Sequence, residues 1–570
     1  MSQGAIPQMS SVEGENRIHT LNAVLNAWVA QSRTYLEDTI PRDTELPDYL
    51  TPKHQENYWK KHIQDGLSAL CAYRPGSDVF TAAFAVAGRT PQPKQEADEE
   101  ERWKTVTGPQ KTTKRDGRPV PLHGADNLFL LSSNRGILDP INLEVHQEIP
   151  ILLDRLNAIA QEAKNATPRP QNPSFVEKIT NRITHKGLWD AEQSFISSVY
   201  EFCYPKLFHR VRKGGYFKDL ITSLRSDAQV LASVEVNLEY LTEVLDLMSQ
   251  LYDYGSKAED ETAASLKPIG RERRKQLNVL EAHRAAHKLA KRLQNNKGLR
   301  DLLNNYRYAE NHPNSLRLVQ KVSALFRTVN NLVCATAYLS LTESLPAALF
   351  NPTWVCRETQ KSKVTANLGA GAAERLNTYY QELIIHDKPP MSPKDWRAVV
   401  HGVKTHAQKS DPFGWTLKED RRKSGVFSTW TGVHCEVKIL MFKLKNALSL
   451  DPSYIGGSKL CCVSCFLFIE SYNEALGTQH GQITVPGCHH NCYTAWCAPS
   501  AVKATALSPE LNQIYPKMVH KLLLAIVRSY KLALFEQNEH ERPHRRTASE
   551  STAESVQRTF PDHSGAVPAG

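Results

Sequence analysis

Most of the chain reads as helix. In "LNAVLNAWVAQSRTYL" (21–36) apolar residues return at helical spacing, and residues 18–87 are expected to be mainly helical. "INLEVHQEIPILLDRLNAIAQEA" (141–163) and "VNLEYLTEVLDLMSQLYDY" (236–254) continue the pattern. In the second, Leu238, Leu241, Leu245, Met248 and Tyr252 form one stripe, the inner face of a bundle helix. Residues 88–124 turn to Pro, Gly and charge and are expected to be a long exposed loop or linker. No fixed-period repeat is present. After about 385 the pattern changes to short strands mixed with helices, and "QNEHERPHRRTASE" opens a polar, disordered tail. The expected architecture is α/β. A large, mainly α-helical region over 1–390 precedes a mixed sheet with flanking helices over 395–536, and a tail covers 537–570.

Within the mixed part, "TGVHCEVKILMFKLKNAL" (431–448) starts a helix whose apolar positions are Val437, Leu440, Met441, Leu444 and Leu448. His434 and Glu436 fall in or just before its first turn, where free backbone N–H groups and the positive dipole end lie. An isolated H-x-E there is most often a solvated first turn. Downstream, "DPSYIGGSKLCCVSCFLFIESYNEAL" (451–476) places Cys462 and Cys465 in a C-x-x-C at the start of a second helix. Such a position favours the thiolates that metals bind. Alone, it fits metal, redox chemistry or chance.

The distance between the motifs joins them. A helix over 434–448 travels about 22 Å. After the "SLDPS" turn, a strand around Ser453–Lys459 returns about 20–23 Å. Both helices then begin at one end of the layer, so His434, Glu436, Cys462 and Cys465 can converge.

Composition narrows the class. At 570 residues, 41% hydrophobic and 23% charged, the chain supports two to four domains with real cores. The formal charge of +10 permits an acidic or nucleic-acid partner without demanding one. Much of it lies at 271–300, where ten Lys or Arg stand against two Glu; this segment either contacts a phosphate backbone or is a solvated helix face. The N-terminal residues lack an apolar core of signal-peptide length, and no run approaches a membrane span. An intracellular protein of cytoplasm or nucleus is expected, with no membrane association. Seven of the eleven cysteines lie between Cys435 and Cys497, which points to metal or redox chemistry before a disulfide scaffold.

One His and two Cys are three zinc ligands, with a fourth position left for water, which becomes a nucleophile near neutral pH. Glu436 would not ligate; it would carry the water's proton to a ring nitrogen and then to departing ammonia. This is the ligand set of zinc base deaminases. "HCE" (434–436) and "CVSC" (462–465) resemble the H-x-E and C-x-x-C of the cytidine deaminase-like superfamily. "GVHCEVKIL", "YIGGSKLCCVSCFLFI" and "GCHHNCYTAWCAP" are similar to a fungus-expanded branch of nucleic-acid and nucleotide deaminases related to a bacterial toxin-like group. The similarity covers about 400–535. Many deaminases have Pro before the first Cys; this chain has Cys461 there, the branch commonly lacks that Pro, and Cys461 is left as a candidate competing ligand.

The resemblance implies strands at 424–432, Ser453–Lys459, Gln482–Val485 and Tyr493–Trp496, and a closing helix at 511–535. It implies zinc on His434, Cys462 and Cys465, with Glu436 as proton shuttle. The residues around Cys488–Cys497 are expected in pocket-wall or sheet roles, with His489 and Trp496 as candidates for base contact, the indole by stacking. Cys488, Cys492 and Cys497 lack standard spacing for a second zinc site. The expected function is hydrolytic deamination of a nucleobase in a nucleoside, nucleotide or nucleic acid. The alternative is a non-catalytic, zinc-stabilised binding or scaffold protein. A thiol redox protein leaves His434 and Glu436 unexplained.

Overall fold

The structure is a computed structural model. It describes residues 9–29, 52–73, 78–87, 127–136, 139, 142–166, 186–232, 236–256, 279–308, 314–355, 361–383, 391–408, 417–420, 423–494, 496–499 and 507–541. The expected loop at 88–124 lies outside these residues, as does the tail from 542.

Two helices open the chain, α1 (Ser11–Val29) and α2 (Pro52–Cys71), followed by strands β1 (Phe80–Ala87) and β2 (Asn127–Ser133). A helical body follows: α3 (Leu143–Ala166), α4 (Lys186–Arg212), α5 (Tyr216–Leu231), α6 (Leu238–Ser256), α7 (Val279–Asn295), α8 (Lys297–Asn305), α9 (Ser315–Val322) and α10 (Ala324–Leu341). Then come β3 (Thr353–Trp354), β4 (Lys361–Asn367), α11 (Ala372–Leu383), α12 (Pro393–Gln408), β5 (Lys418–Glu419) and β6 (Val426–Gly432). The last part holds α13 (Cys435–Lys445), β7 (Leu448–Leu450), β8 (Gly456–Gly457), α14 (Val463–His480) and α15 (Ser508–Glu541). The α/β architecture is as expected, and α15 is the closing helix, running past 535 into the stretch expected as tail.

The main sheet has the order β3-β2-β1-β7, with β8 also on β1. β1 is antiparallel to β2, from Phe80↔Ser133 to Val86↔Asn127, while β2 and β3 are parallel. The sheet under the C-terminal helices therefore takes its centre from residues 80–133. Alternation along these strands separates two cores. Phe80, Ala82, Phe84, Phe129 and Leu131 face the helical body. Ala83, Ala85, Leu128 and Leu130 face α1, α13, α14 and α15. Small Ala side chains on the second face leave room for α13 to lie on β1 and β2. Residues Cys435–Lys443 are all buried, so α13 is a core helix, and its first turn is not a solvated one.

The single strand expected at Ser453–Lys459 is two short pairings, Leu448–Leu450 and Gly456–Gly457. Pro452 between them has no N–H for the ladder. The glycines answer to α2, because a Cβ on Gly456 would lie 2.6 Å from Gln64 Cβ and 2.8 Å from the Asp65 nitrogen. Asp65 accepts hydrogen bonds from Gly457 N at 3.0 Å and Tyr454 Oη at 2.8 Å, fastening the same crossing. Gly456→Ala is expected to destabilise the fold by about 1–3 kcal/mol through this overlap, read as a lower urea midpoint.

Of the strands expected at 482–485 and 493–496, the first makes one bridge, Tyr454↔Thr484, and the described residues of the second make none. In the second region α1 replaces a ladder. Asn22 Nδ2 donates to Tyr493 O at 2.7 Å, and Asn26 Nδ2 donates to Cys492 O. In the basic segment, α7 buries Ala282, Ala285, Ala286, Leu289 and Leu293 and leaves Arg284, Lys288 and Lys291 exposed. Residues 271–278 are outside the description. No described helix is long and apolar enough to cross a membrane.

Candidate active site

His434 is the N-cap of α13 and Cys462 the N-cap of α14, so both motifs sit where their helices present free N–H groups. The Cys462 sulfur accepts the Cys465 N–H at 3.4 Å, which closes the C-x-x-C into one turn. The first turn of α13 is held from far along the chain. Cys435 N donates to Asn134 Oδ1 at 2.7 Å, and the buried Lys438 ammonium donates to Ser133 O and Asn134 O at 2.7 and 2.8 Å. The end of β2 thus fixes the His434 helix across a sequence gap of 301 residues.

His434, Cys462 and Cys465 bring one ligand atom each to within 4.8 Å of one another, the group of this kind found among the described residues. His434 Nδ1 lies 3.6 Å from Cys462 Sγ and 3.4 Å from Cys465 Sγ. A zinc ion with ordinary Zn–N and Zn–S bonds at tetrahedral angles separates such atoms by about 3.6 Å. The donor set and its spacing fit zinc. Glu436 is buried, with Oε2 3.6 Å from Cys465 Sγ and 3.5 Å from Cys435 Sγ. All four expected residues meet at one place.

Electrostatics follow the geometry. Burial pushes the Glu436 carboxyl above its usual range, against the pull of His434. Burial would raise the Cys462 thiol, but the hydrogen bond with Cys465 and the nearby imidazole hold it well below its usual value. Cys465 goes the other way, raised by burial and by its hydrogen bond with Cys462.

The residues around the cluster divide into an opening and a back wall. His434 stays partly exposed, as do His489 and Tyr493, whose rings stand 5.7 Å apart at 77°. Tyr493 also lies 6.4 Å from the His434 ring. Burial lowers the His489 imidazole. Trp496 is fully buried behind the cluster, with Nε1 donating to Cys465 Sγ at 3.2 Å and its ring against Phe468. Stacking on a base needs an open ring face, so the contact expected of Trp496 is corrected to a hydrogen bond to the sulfur. Cys461 points its thiol to Gly487 O at 3.1 Å and stands outside the ligand group.

Residues 433–500 match the family profile of the OTT_1508_deam-like deaminases. That deaminase-like segment contains every site residue expected from the sequence, from His434 to Trp496. Neither a curated protein nor a solved structure matches the chain.

The deaminase-like segment does not build its site alone. Asn134, from the end of β2, and α1 both reach it. Asn22 Oδ1 accepts from Ser464, inside the C-x-x-C, and from Cys492 Sγ at 3.1 Å; His19 Nε2 accepts the Ala498 N–H at 3.2 Å. Sequence reasoning missed these. A signal existed in α1, since Asn22 and Asn26 stand four apart within the otherwise apolar run 21–29, and buried asparagines need partners. Nothing in the spacing marked Asn134.

Proposed function

We propose that the chain is a zinc-dependent hydrolytic deaminase that removes the exocyclic amine of a cytosine- or adenine-like ring. The observation that carries this reading is a carboxyl buried beside a His–Cys–Cys group spaced for zinc. A purely structural zinc site needs no such carboxyl. His434, Cys462 and Cys465 would hold the ion, and zinc bound there supplies the Lewis acidity that makes water a nucleophile near neutral pH.

Glu436 supplies the proton traffic. Its raised proton affinity suits a group that takes a proton from water as it adds to the ring carbon, then gives that proton to the neighbouring ring nitrogen. It then moves the second water proton to the leaving amine. Water's oxygen ends as the ring carbonyl and the amine leaves as ammonia, so atoms balance. The Cys435 thiol donates to the carboxyl and holds it in place. Trp496 donates to the Cys465 sulfur and steadies it as a ligand. Tyr493 and His489 line the opening and would contact the base. The test is ammonia release by the zinc-loaded full chain from nucleosides, nucleotides, single-stranded DNA and RNA. Ammonia from any of these supports the reading; bound zinc without ammonia from all of them favours the scaffold alternative.

A further inference from the structure

β6 leads directly into the site, ending at Gly432 two residues before His434. It is the middle strand of a second sheet, β4-β6-β5, which lies apart from the main one in hydrogen bonding. One face of this sheet is core, with Val364, Ala366 and Phe427 buried. Its other face, by the alternation of a strand, carries Lys361, Lys363, Thr365 and Asn367 on β4, Ser428 and Trp430 on β6, and Lys418 on β5.

The register arranges these in rows. Lys361 is opposite Gly432, Lys363 opposite Trp430, and Ser428 lies between Thr365 and Lys418. Trp430 is 66% exposed, the most exposed aromatic among the described large apolar residues. The one acid in the three strands, Glu419, belongs to the opposite register, and its carboxylate accepts the Gly425 N–H at 2.6 Å. Asp420, just past β5, follows Lys418 onto this face, its N–H donating to Val426 O at 2.7 Å, but Lys361, Lys363 and Lys418 outnumber it, so the outer face is net cationic with a flat aromatic ring beside the lysines.

We propose that this face binds single-stranded nucleic acid, so that the base offered to the site arrives in a polynucleotide. The second clause rests on the deaminase reading; the binding surface does not. The charges suit phosphates, and an exposed indole beside them suits an unpaired base, the combination that tracks single strands without reading sequence. Trp430 lies about 13 Å of extended strand from His434, so nucleotides flanking the reacting base would meet it. An acidic peptide would match the lysines but leave the tryptophan unused.

The test measures binding without turnover. The zinc-loaded full chain carrying Glu436→Gln is titrated into fluorescein-labelled DNA and RNA single strands of about 12 nucleotides and followed by anisotropy. Binding with quenched tryptophan fluorescence is expected. Trp430→Ala should weaken it about 5- to 150-fold while Trp430→Phe retains most of it. Lys363→Ala and Lys418→Ala should each lower the log–log salt slope by about 0.7. Preference for one of the two strands identifies DNA or RNA as the natural source. The proposal is overturned if neither strand binds at about 10⁻⁴ M, or if Trp430→Ala binds as tightly as its parent. It is equally overturned if a duplex, or a polyglutamate of the same charge, competes as well as the single strand. Trp430-dependent binding with no ammonia from any substrate would uphold the surface and remove the enzyme, so the two failures are distinct.

Discussion

Replacing Glu436 by Gln is expected to leave zinc in place and to lower ammonia release by about 10²- to 10⁴-fold. The amide has nearly the shape of the carboxyl and fits the same buried position between Cys435 Sγ and Cys465 Sγ. It cannot take a proton from water, so the loss falls on the chemical step. Zinc content by elemental analysis should stay near that of the parent, because the three ligand atoms belong to other side chains. Unchanged turnover would remove Glu436 from the mechanism. Loss of zinc together with activity would make the carboxyl a ligand and not a proton carrier.

The second large effect is expected at Cys465. Its sulfur is 3.4 Å from His434 Nδ1 and accepts the Trp496 indole N–H at 3.2 Å, inside a fully buried environment. Cys465→Ala removes one of three ligands and orphans that indole. The unpaired N–H alone costs about 1–3 kcal/mol. Zinc bound only to the folded chain contributes about 4 kcal/mol more when free zinc is a thousand times Kd. The variant should therefore lose its zinc, release no detectable ammonia and melt at a lower temperature. A chelator should lower the melting temperature of the parent and leave that of the variant unchanged. A variant that keeps zinc and still responds to the chelator would show that Cys465 is no ligand.

The His–Cys–Cys group was legible because each motif is local and each marks a helix start, where His434 and Cys462 now stand as N-caps. The distance argument placed both starts at one end correctly, although the returning strand is broken at Pro452 and thinned to two glycines by α2. Patterns of the same kind gave α1 and α15. What stayed hidden depends on contacts between remote segments. The short apolar run "FTAAFAVA" of β1 does not reveal that it pairs with β2, β7 and β8 at once. Trp496 illustrates a different limit: its residue type suggested stacking, and only its burial behind Cys465 gives it another use.

The 301-residue reach from Asn134 to Cys435 decides how the chain can be cut. A fragment chosen to begin at the family match would keep the ligands and discard the strands on which their helix lies. Leu448–Leu450 and Gly456–Gly457 would then become an open edge, lacking β1 to satisfy their backbone groups. The smallest piece able to carry the chemistry thus spans nearly the whole molecule, and the helical body can be shortened only as an internal excision that rejoins Asn134 to the approach of His434.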